Sequence, residues 1–479
     1  MNSTSDSESH RALVVPKRDQ RFWFILGSFT VAALVSSLEA ITVFIALPTI
    51  SGTLQLGHNY VWVISVYFLM RNIFADMMIC DLAPLSDRGI IHEVIFAAIR
   101  VGLSFGPLIG GILASVGQWR WIFFLNLPVG AVLVVALYVF LRVSHQRKIG
   151  WRTHLRRIDY VGNLILVAST ILILYVLTYA GSKYPWNSQH IKALLVVDLM
   201  LMAVFFVYER SSLCSHPLVP AIPFSNQTSS ASLFISFIHS ILLTWATYMY
   251  PLYLQSVLNA SPARSGINLV IMVHIFLLFT VLGTTLLART GEYKYIQIIG
   301  LTILTVAIGA SSVSIQSSWT GNWPLLETVV AASLGVVTLV LRPAFEAELT
   351  KKEAASSSGT WALIRSLGAI GGISIPAAIF NNRAEQLSFR VSDPSARKAL
   401  EGGRAYGHGT AAFLDRYAGE TREQLVSVYA DALREVWQIG VVFACLALFA
   451  ALYERRVKPH KDNDTQFGPE KIKKGTPSN

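Results

Sequence analysis

The chain has 479 residues, of which 53% are hydrophobic and 14% charged, and it carries a net charge of +11. An ordinary soluble domain is about 25% charged. That deficit, with a mean hydropathy of +0.51, argues against a water-soluble enzyme or binding module and makes lipid the expected solvent. Lys and Arg sit beside apolar runs, so the charge reads as membrane orientation rather than nucleic-acid affinity, and no nucleic-acid partner is expected. The three cysteines, Cys80, Cys214 and Cys445, are odd in number and scattered. They offer neither a disulfide framework nor metal-ligand spacing, and no metal or cofactor is expected.

Residues 1–21 are polar and read as a cytosolic tail before a first span, not as a cleaved leader. Crossing ~30 Å of hydrocarbon takes ~20 apolar residues. Twelve stretches qualify: 22–48, 60–80, 91–115, 121–142, 159–180, 191–209, 231–257, 267–288, 295–315, 325–344, 356–380 and 435–454. The expected fold is therefore an all-α polytopic membrane protein with about 12 transmembrane helices. Arg11, Lys17, Arg18, Arg147, Lys148, Arg289, Lys294, Lys351, Lys352, Arg455 and Arg456 fall on one side if both termini are cytosolic. The arginine-rich stretch 381–433 falls on the other side, and long loops largely escape the charge rule.

The expected organisation follows from these spans. Residues 22–144 form an N-terminal bundle of four spans, and 145–158 a basic cytosolic linker. That linker reads either as a helix lying on the anionic inner leaflet or as a solvated segment. Residues 159–209 supply two central spans and 210–230 a cytosolic loop. A six-helix C-terminal bundle occupies 231–455, with 381–433 as its long non-cytosolic loop, and 456–479 form a cytosolic tail.

The stretch 100–130 reads RVGLSFGPLIGGILASVGQWRWIFFLNLPVG. Gly102, Gly106 and Gly110 stand four apart and so share a helix face. Such a face lets a neighbouring backbone approach closely, as in small-xxx-small packing within bilayers. Pro107 removes a ladder hydrogen bond and predicts a bend. Gly111 extends the small surface.

A charge within the bilayer costs about 2.5–3.5 kcal/mol on insertion scales, so each one calls for an explanation. Glu39 falls in mid-span, with Thr42 one turn on. It reads as a carboxylate that takes and releases a proton, or as one neutralised by a partner. Arg100 precedes the glycine face and could pair with Glu39 or reach toward an interface. Asp198 reads as structural. His239 and His274 read as packed, hydrogen-bonded histidines. Trp245 and Tyr248, three apart, share a face and could line a cavity for flat apolar compounds. Tyr250 and Tyr253, beside Pro251, read as an interfacial belt.

The chain resembles the major facilitator superfamily, and within it the fungal drug:proton antiporters with fourteen spans. GLSFGPLIGG (102–111) is similar to the antiporter motif of the family's fifth span, and WRWIFFLNLPVG (119–130) to the start of its sixth. LEAITVFIALPTI (38–50) resembles the first-span motif, with Glu39 where the family usually has Asp. YPLYLQSVLNASPARSG (250–266) and TWALIRSLGAIGGISIPAAIFNN (360–382) match its C-terminal half, and LLARTGEYKY (286–295) looks like a weak copy of its loop motif. The resemblance implies a major facilitator fold with an incomplete N-terminal bundle. After VWVISVYFLM (61–70) the chain passes to RNIFADMMICDLAP, which resembles the end of the family's fourth span. Roughly two spans and a loop, on the order of 50 residues, are skipped.

The implied function is proton-coupled export of small amphipathic organic compounds, with small-molecule substrate, protons and the lipid bilayer as partners. Glu39 would be the proton carrier, and Gly102, Gly106, Pro107, Gly110 and Gly111 the packing and bending face. A monomer in the plasma membrane is expected, with the vacuolar membrane as the other site. The skipped segment also admits a transport-incompetent product. No G-x-x-x-x-G-K-[ST], H-E-x-x-H or G-x-S-x-G motif occurs, so neither an ATP-driven pump nor an enzyme is expected.

Overall fold

The structure, a computed structural model, describes residues 20–63, 65, 88–140, 159–181, 183–211, 214, 217–315 and 323–457. Most of the expected span 60–80, the linker 145–158 and both tails lie outside the described residues. Eleven long helices are described. They are α1 (Gln20–Leu54), α2 (Arg88–Ser115), α3 (Asn126–Phe140), α4 (Tyr160–Tyr179), α5 (Gln189–Arg210) and α6 (Gln227–Ser256), followed by α7 (Pro262–Thr290), α8 (Tyr293–Ser314), α9 (Trp323–Thr338), α10 (Lys351–Leu387) and α11 (Glu420–Tyr453). Among the described residues, 10 helices are long and apolar enough to cross a membrane, and 121–136 forms a shorter apolar stretch.

Local chemistry fixes the helix ends. The Asp159 carboxylate accepts from Gly162 N–H at 2.9 Å and caps α4. The Ser188 hydroxyl caps α5 through Ile191 N–H. Ser261 caps α7, with Pro262 at its first position, where a missing N–H costs nothing. Gly291 ends α7 in the left-handed region at φ +70°. Thr350 and Glu353 form a reciprocal capping box at the start of α10.

In the N-terminal half α1 lies along α2. In the C-terminal half α6 packs on α10 and α11, α7 on α9, and α8 on α9 and α11; α4 and α5 form a pair that touches α10. One core runs from the second half of α1 through α6 to α11. The outward faces are apolar and bare: Val132, Val134 and Val135 are exposed, and Tyr138 is 88% exposed. Such surface is tolerable only against lipid.

The expected loop 381–433 is much shorter. Residues 381–387 complete α10 and 420–433 begin α11. Arg422, Asp431, Arg434 and Glu435 lower the hydropathy of that part of α11, which is why the apolar run starts only at 435. The connection proper, 388–419, is folded into the short helices Pro394–Leu400, Ala405–His408 and Ala411–Leu414.

Candidate functional site

The α1–α2 seam is built as the glycine spacing implies. A Cβ on Gly102 would stand 2.1 Å from Ser37 Oγ, one on Gly106 2.7 Å from the Leu38 carbonyl oxygen, and one on Gly110 2.6 Å from the Thr42 carbonyl oxygen. The two helices run parallel, since rising positions on α2 meet rising positions on α1. Thr42 Oγ1 donates to the Gly106 carbonyl at 2.9 Å, a cross-helix bond at the level of the seam. Gly111 faces the other way. Its Cβ would lie 2.6 Å from the Pro262 carbonyl oxygen, and one on Gly266 would lie 2.4 Å from that of Pro107. So α2 is one element through which the two halves meet, with α1 on one side and α7 on the other. The helix runs through Pro107 without interruption.

Glu39 lies half-buried on α1, one residue from Leu38 at the centre of the seam, and it has an interaction partner of its own. The seam's register, with Gly106 on Leu38 and Gly110 on Thr42, sets Arg100 level with Ala32, about two turns nearer the start of α1 than Glu39. Among the described residues no ion pair joins the two. Burial changes along α1 at this level: Trp23 and Phe24 are exposed, whereas Ala40 to Leu47 are buried.

Trp245 and Tyr248 are both buried but face different neighbours. Trp245 packs on Phe443 of α11, ring centroids 5.7 Å apart. Tyr248 turns toward α1, 6.0 Å from Phe44, and stacks on Tyr406 at 5.1 Å. Tyr250 and Tyr253 are not an interfacial belt. They are 0% and 1% exposed and pack on Trp323, with Tyr250 also against Trp437. The helix carries on past Pro251 to Ser256, so both rings stay inside the bundle.

The remaining polar groups are tied down. The Leu334 carbonyl accepts from His239 Nε2 at 3.0 Å, and His274 Nδ1 lies 2.8 Å from the Val270 carbonyl of its own helix. Ser169 donates to Asp198 at 2.5 Å, joining α4 to α5. Among the described residues, Asp159, Glu209 and Cys214 bring donor atoms within 4.8 Å of one another. Asp159 is already engaged by Gly162 N–H, the Tyr208 hydroxyl and the Cys214 thiol, so the group reads as a helix cap that ties α4 to α5.

Two acids escaped the sequence reading. Glu327, in the second turn of α9, is 5% exposed, and its Oε1 has no hydrogen-bond partner. The signal was one acid at the head of an apolar run. Glu454 is 1% exposed at the end of α11, where it accepts from the Ser232 hydroxyl. Around it the 292–294 turn grips the chain. Glu292 pairs with Arg456, the Tyr293 hydroxyl donates to the Arg455 carbonyl at 2.9 Å, and Lys294 donates to the Leu452 carbonyl at 3.1 Å. The weak loop motif LLARTGEYKY thus serves as a clasp on the C-terminal end of α11.

Comparison with known proteins agrees with this architecture. The sequence profile of the Major Facilitator Superfamily matches residues 72–373. The MFS-type efflux transporter ffsH of Aspergillus flavipes is 36% identical over 93% of this chain and 86% of its own. The MFS-type efflux transporter phmH of Phaeosphaeria nodorum is 39% identical over 84% and 72%. The MFS-type transporter pydD of an Acremonium species is 32% identical over 98% and 93%, in an alignment of 531 positions, more than this chain has residues. Among solved structures, a bacterial homolog of the human lysosomal transporter Spinster, in an inward-facing and occupied conformation, matches with a TM-score of 0.54. It is 13% identical and is covered over 97% of its length, against 91% of this chain.

Proposed function

The chain belongs to the major facilitator superfamily, and on that premise we propose that it is a proton-coupled exporter of small amphipathic organic compounds such as drugs, toxins or secondary metabolites. It is an integral multi-pass membrane protein. The relatives named as efflux transporters support the direction of transport and favour transport over the inactive reading. We place it in the plasma membrane as a monomer, with both termini cytosolic.

The carrying observation is the placement of Glu39 beside a bare-backbone seam. Alternating access needs two bodies that rock about a site near the midplane. Here α2 touches α1 and α7 through glycine faces without long side chains to disengage. A carboxylate at that level alters the local charge each time it gains or loses a proton. Coupling requires that proton and compound each weaken the other's binding by the same factor. One proton crossing a pH difference of one unit releases about 1.4 kcal/mol, and about 2.3 kcal/mol more per 100 mV. Together these sustain a roughly 500-fold gradient of a neutral compound exchanged one for one.

The test is transport by purified protein in liposomes with an imposed pH gradient. Glu39→Gln should abolish gradient-driven movement while leaving substrate counterflow, which needs no net proton transfer. Glu39→Asp should keep part of the driven rate. Full gradient-driven transport by Glu39→Gln would sink the assignment.

A further inference from the structure

The connection 388–419 is a folded body wedged between the two halves. Its own core is dry, with Val391, Ala396, Leu400, Ala405 and Leu414 at 0% exposure. Its moorings are one-sided. Toward the C-terminal half, Arg390 pairs with Asp431 at 2.6 Å, Gln424 accepts from Ser392 N–H at 2.8 Å, and the Tyr429 hydroxyl donates to the Ala405 carbonyl at 2.8 Å. Glu385 accepts from Gly402 N–H. Toward α1 the contact is by shape alone. A Cβ on Gly52 would stand 2.6 Å from the Gly407 carbonyl oxygen, and one on Gly403, which sits at φ +65°, would stand 2.0 Å from His58 Nδ1. Among the described residues, no hydrogen bond runs from 388–419 to α1 or to 57–63.

At the centre stands Tyr406, 0% exposed. Its ring lies between Tyr60, stacked at 4.4 Å and 11°, and Tyr248, at 5.1 Å and 20°. Asn381 donates to the Tyr60 hydroxyl at 2.9 Å and holds that ring in place. Phe44 lies beneath, against Tyr248. Parting Tyr406 from Tyr60 breaks no hydrogen bond between the two rings and costs the one at their edge, Asn381 to the Tyr60 hydroxyl, whereas on the other side the four ties of Arg390, Ser392, Gly402 and Ala405 would all have to break.

We propose that 388–419 is a plug closing the outer mouth of the carrier, with Tyr406 as its stopper. The plug moves with the C-terminal half and parts from α1 between Tyr406 and Tyr60 when the outer side opens. It adds to the seam a gate that the passing compound must meet, and it rests on the exporter reading only for the direction of traffic.

The experiment uses a background in which Cys80, Cys214 and Cys445 are replaced and Phe44→Cys is the single thiol. Phe44 lies about 12 Å below Gly52 at 1.5 Å per residue. A membrane-impermeant maleimide is added from the outer side of intact cells. Tyr406→Ala and Gly52→Ala, one removing the stopper and the other forcing the backbones apart, should each speed labelling tenfold or more. Size-exclusion profiles identify a variant that misfolds, in which case the other decides. An unchanged labelling rate in either well-folded variant overturns the plug. Because labelling needs no transport, a protein that labels as expected yet moves no compound would sink the exporter reading and leave the plug standing.

Discussion

The carbonyl oxygen of Leu38 occupies the ground where a side chain on Gly106 would begin, 2.7 Å from the position of its Cβ. That oxygen belongs to a helix backbone and cannot swing away. Gly106→Val must push α1 and α2 apart, and overpacking of this kind costs about 1–3 kcal/mol. The control is Gly130 in α3, whose added Cβ would meet nothing within 4 Å. Gly130→Ala should be neutral or should stabilise by up to about 1 kcal/mol through helix propensity. Thermal unfolding of the two detergent-solubilised variants checks the contrast. Equal effects would mean that the seam is looser than its geometry.

Ser169 and Asp198 hold α4 against α5 through one buried hydrogen bond of 2.5 Å. Removing the hydroxyl leaves a carboxylate in an apolar setting with one partner fewer. Ser169→Ala should therefore destabilise by about 1–3 kcal/mol. Asp198→Asn keeps an acceptor for the hydroxyl and should cost less. The pair is remote from Glu39, so neither variant should alter the proton dependence of transport. A changed pH profile in Ser169→Ala would contradict the purely structural role.

Glu454 makes stability depend on pH. Burial pushes its carboxyl up to about 7, against the opposing pull of the Ser232 hydroxyl and Lys294. A folded-state value above the unfolded one means that the native protein holds the proton longer. Stability is then greatest below about 4.5 and falls as pH rises to about 7, after which this group takes away nothing more. A rise of that size corresponds to roughly 3 kcal/mol at most. Melting temperatures measured from pH 5 to pH 8 should drop for the native chain, and Glu454→Gln should remove much of the drop. Superimposable profiles would mean that water reaches the carboxyl.

The helices were legible because lipid imposes one simple demand: about 20 apolar residues per crossing. The seam was legible because a four-residue glycine spacing has few other uses in an apolar helix. The outer plug was not. Tyr60 and Tyr406 are far apart in sequence, and nothing in the polar stretch around Tyr406 announces a residue with 0% exposure. The start of α11 was hidden for a related reason: Asp431 and Glu435 depress hydropathy, yet their partners, Arg390 of the plug and Arg383 of α10, lie across the helix interface. Trp245 and Tyr248 share a face by spacing, but a helix surrounded on all sides buries more than one face. Sequence spacing could say that they are neighbours, not that one looks to α11 and the other to α1.

Glu327 supplies a contrast with Glu39. Both are acids within apolar helices, but Glu327 lies inside the C-terminal bundle on the helix that carries Trp323, with Oε1 unpartnered. It touches neither the α1–α2 seam nor the faces by which α2 meets α7. A buried carboxyl without a full set of partners costs stability, and replacing it by a neutral group of the same shape relieves part of that cost. Glu327→Gln should therefore melt at the same temperature as the native chain or higher, and it should retain gradient-driven transport. Glu39→Gln should fold normally and lose it. Measuring both in one set of liposomes separates an acid that serves the exchange from one that is merely enclosed. If Glu327→Gln alone lost the response to the pH gradient, the proton route would run through the C-terminal bundle and not through α1.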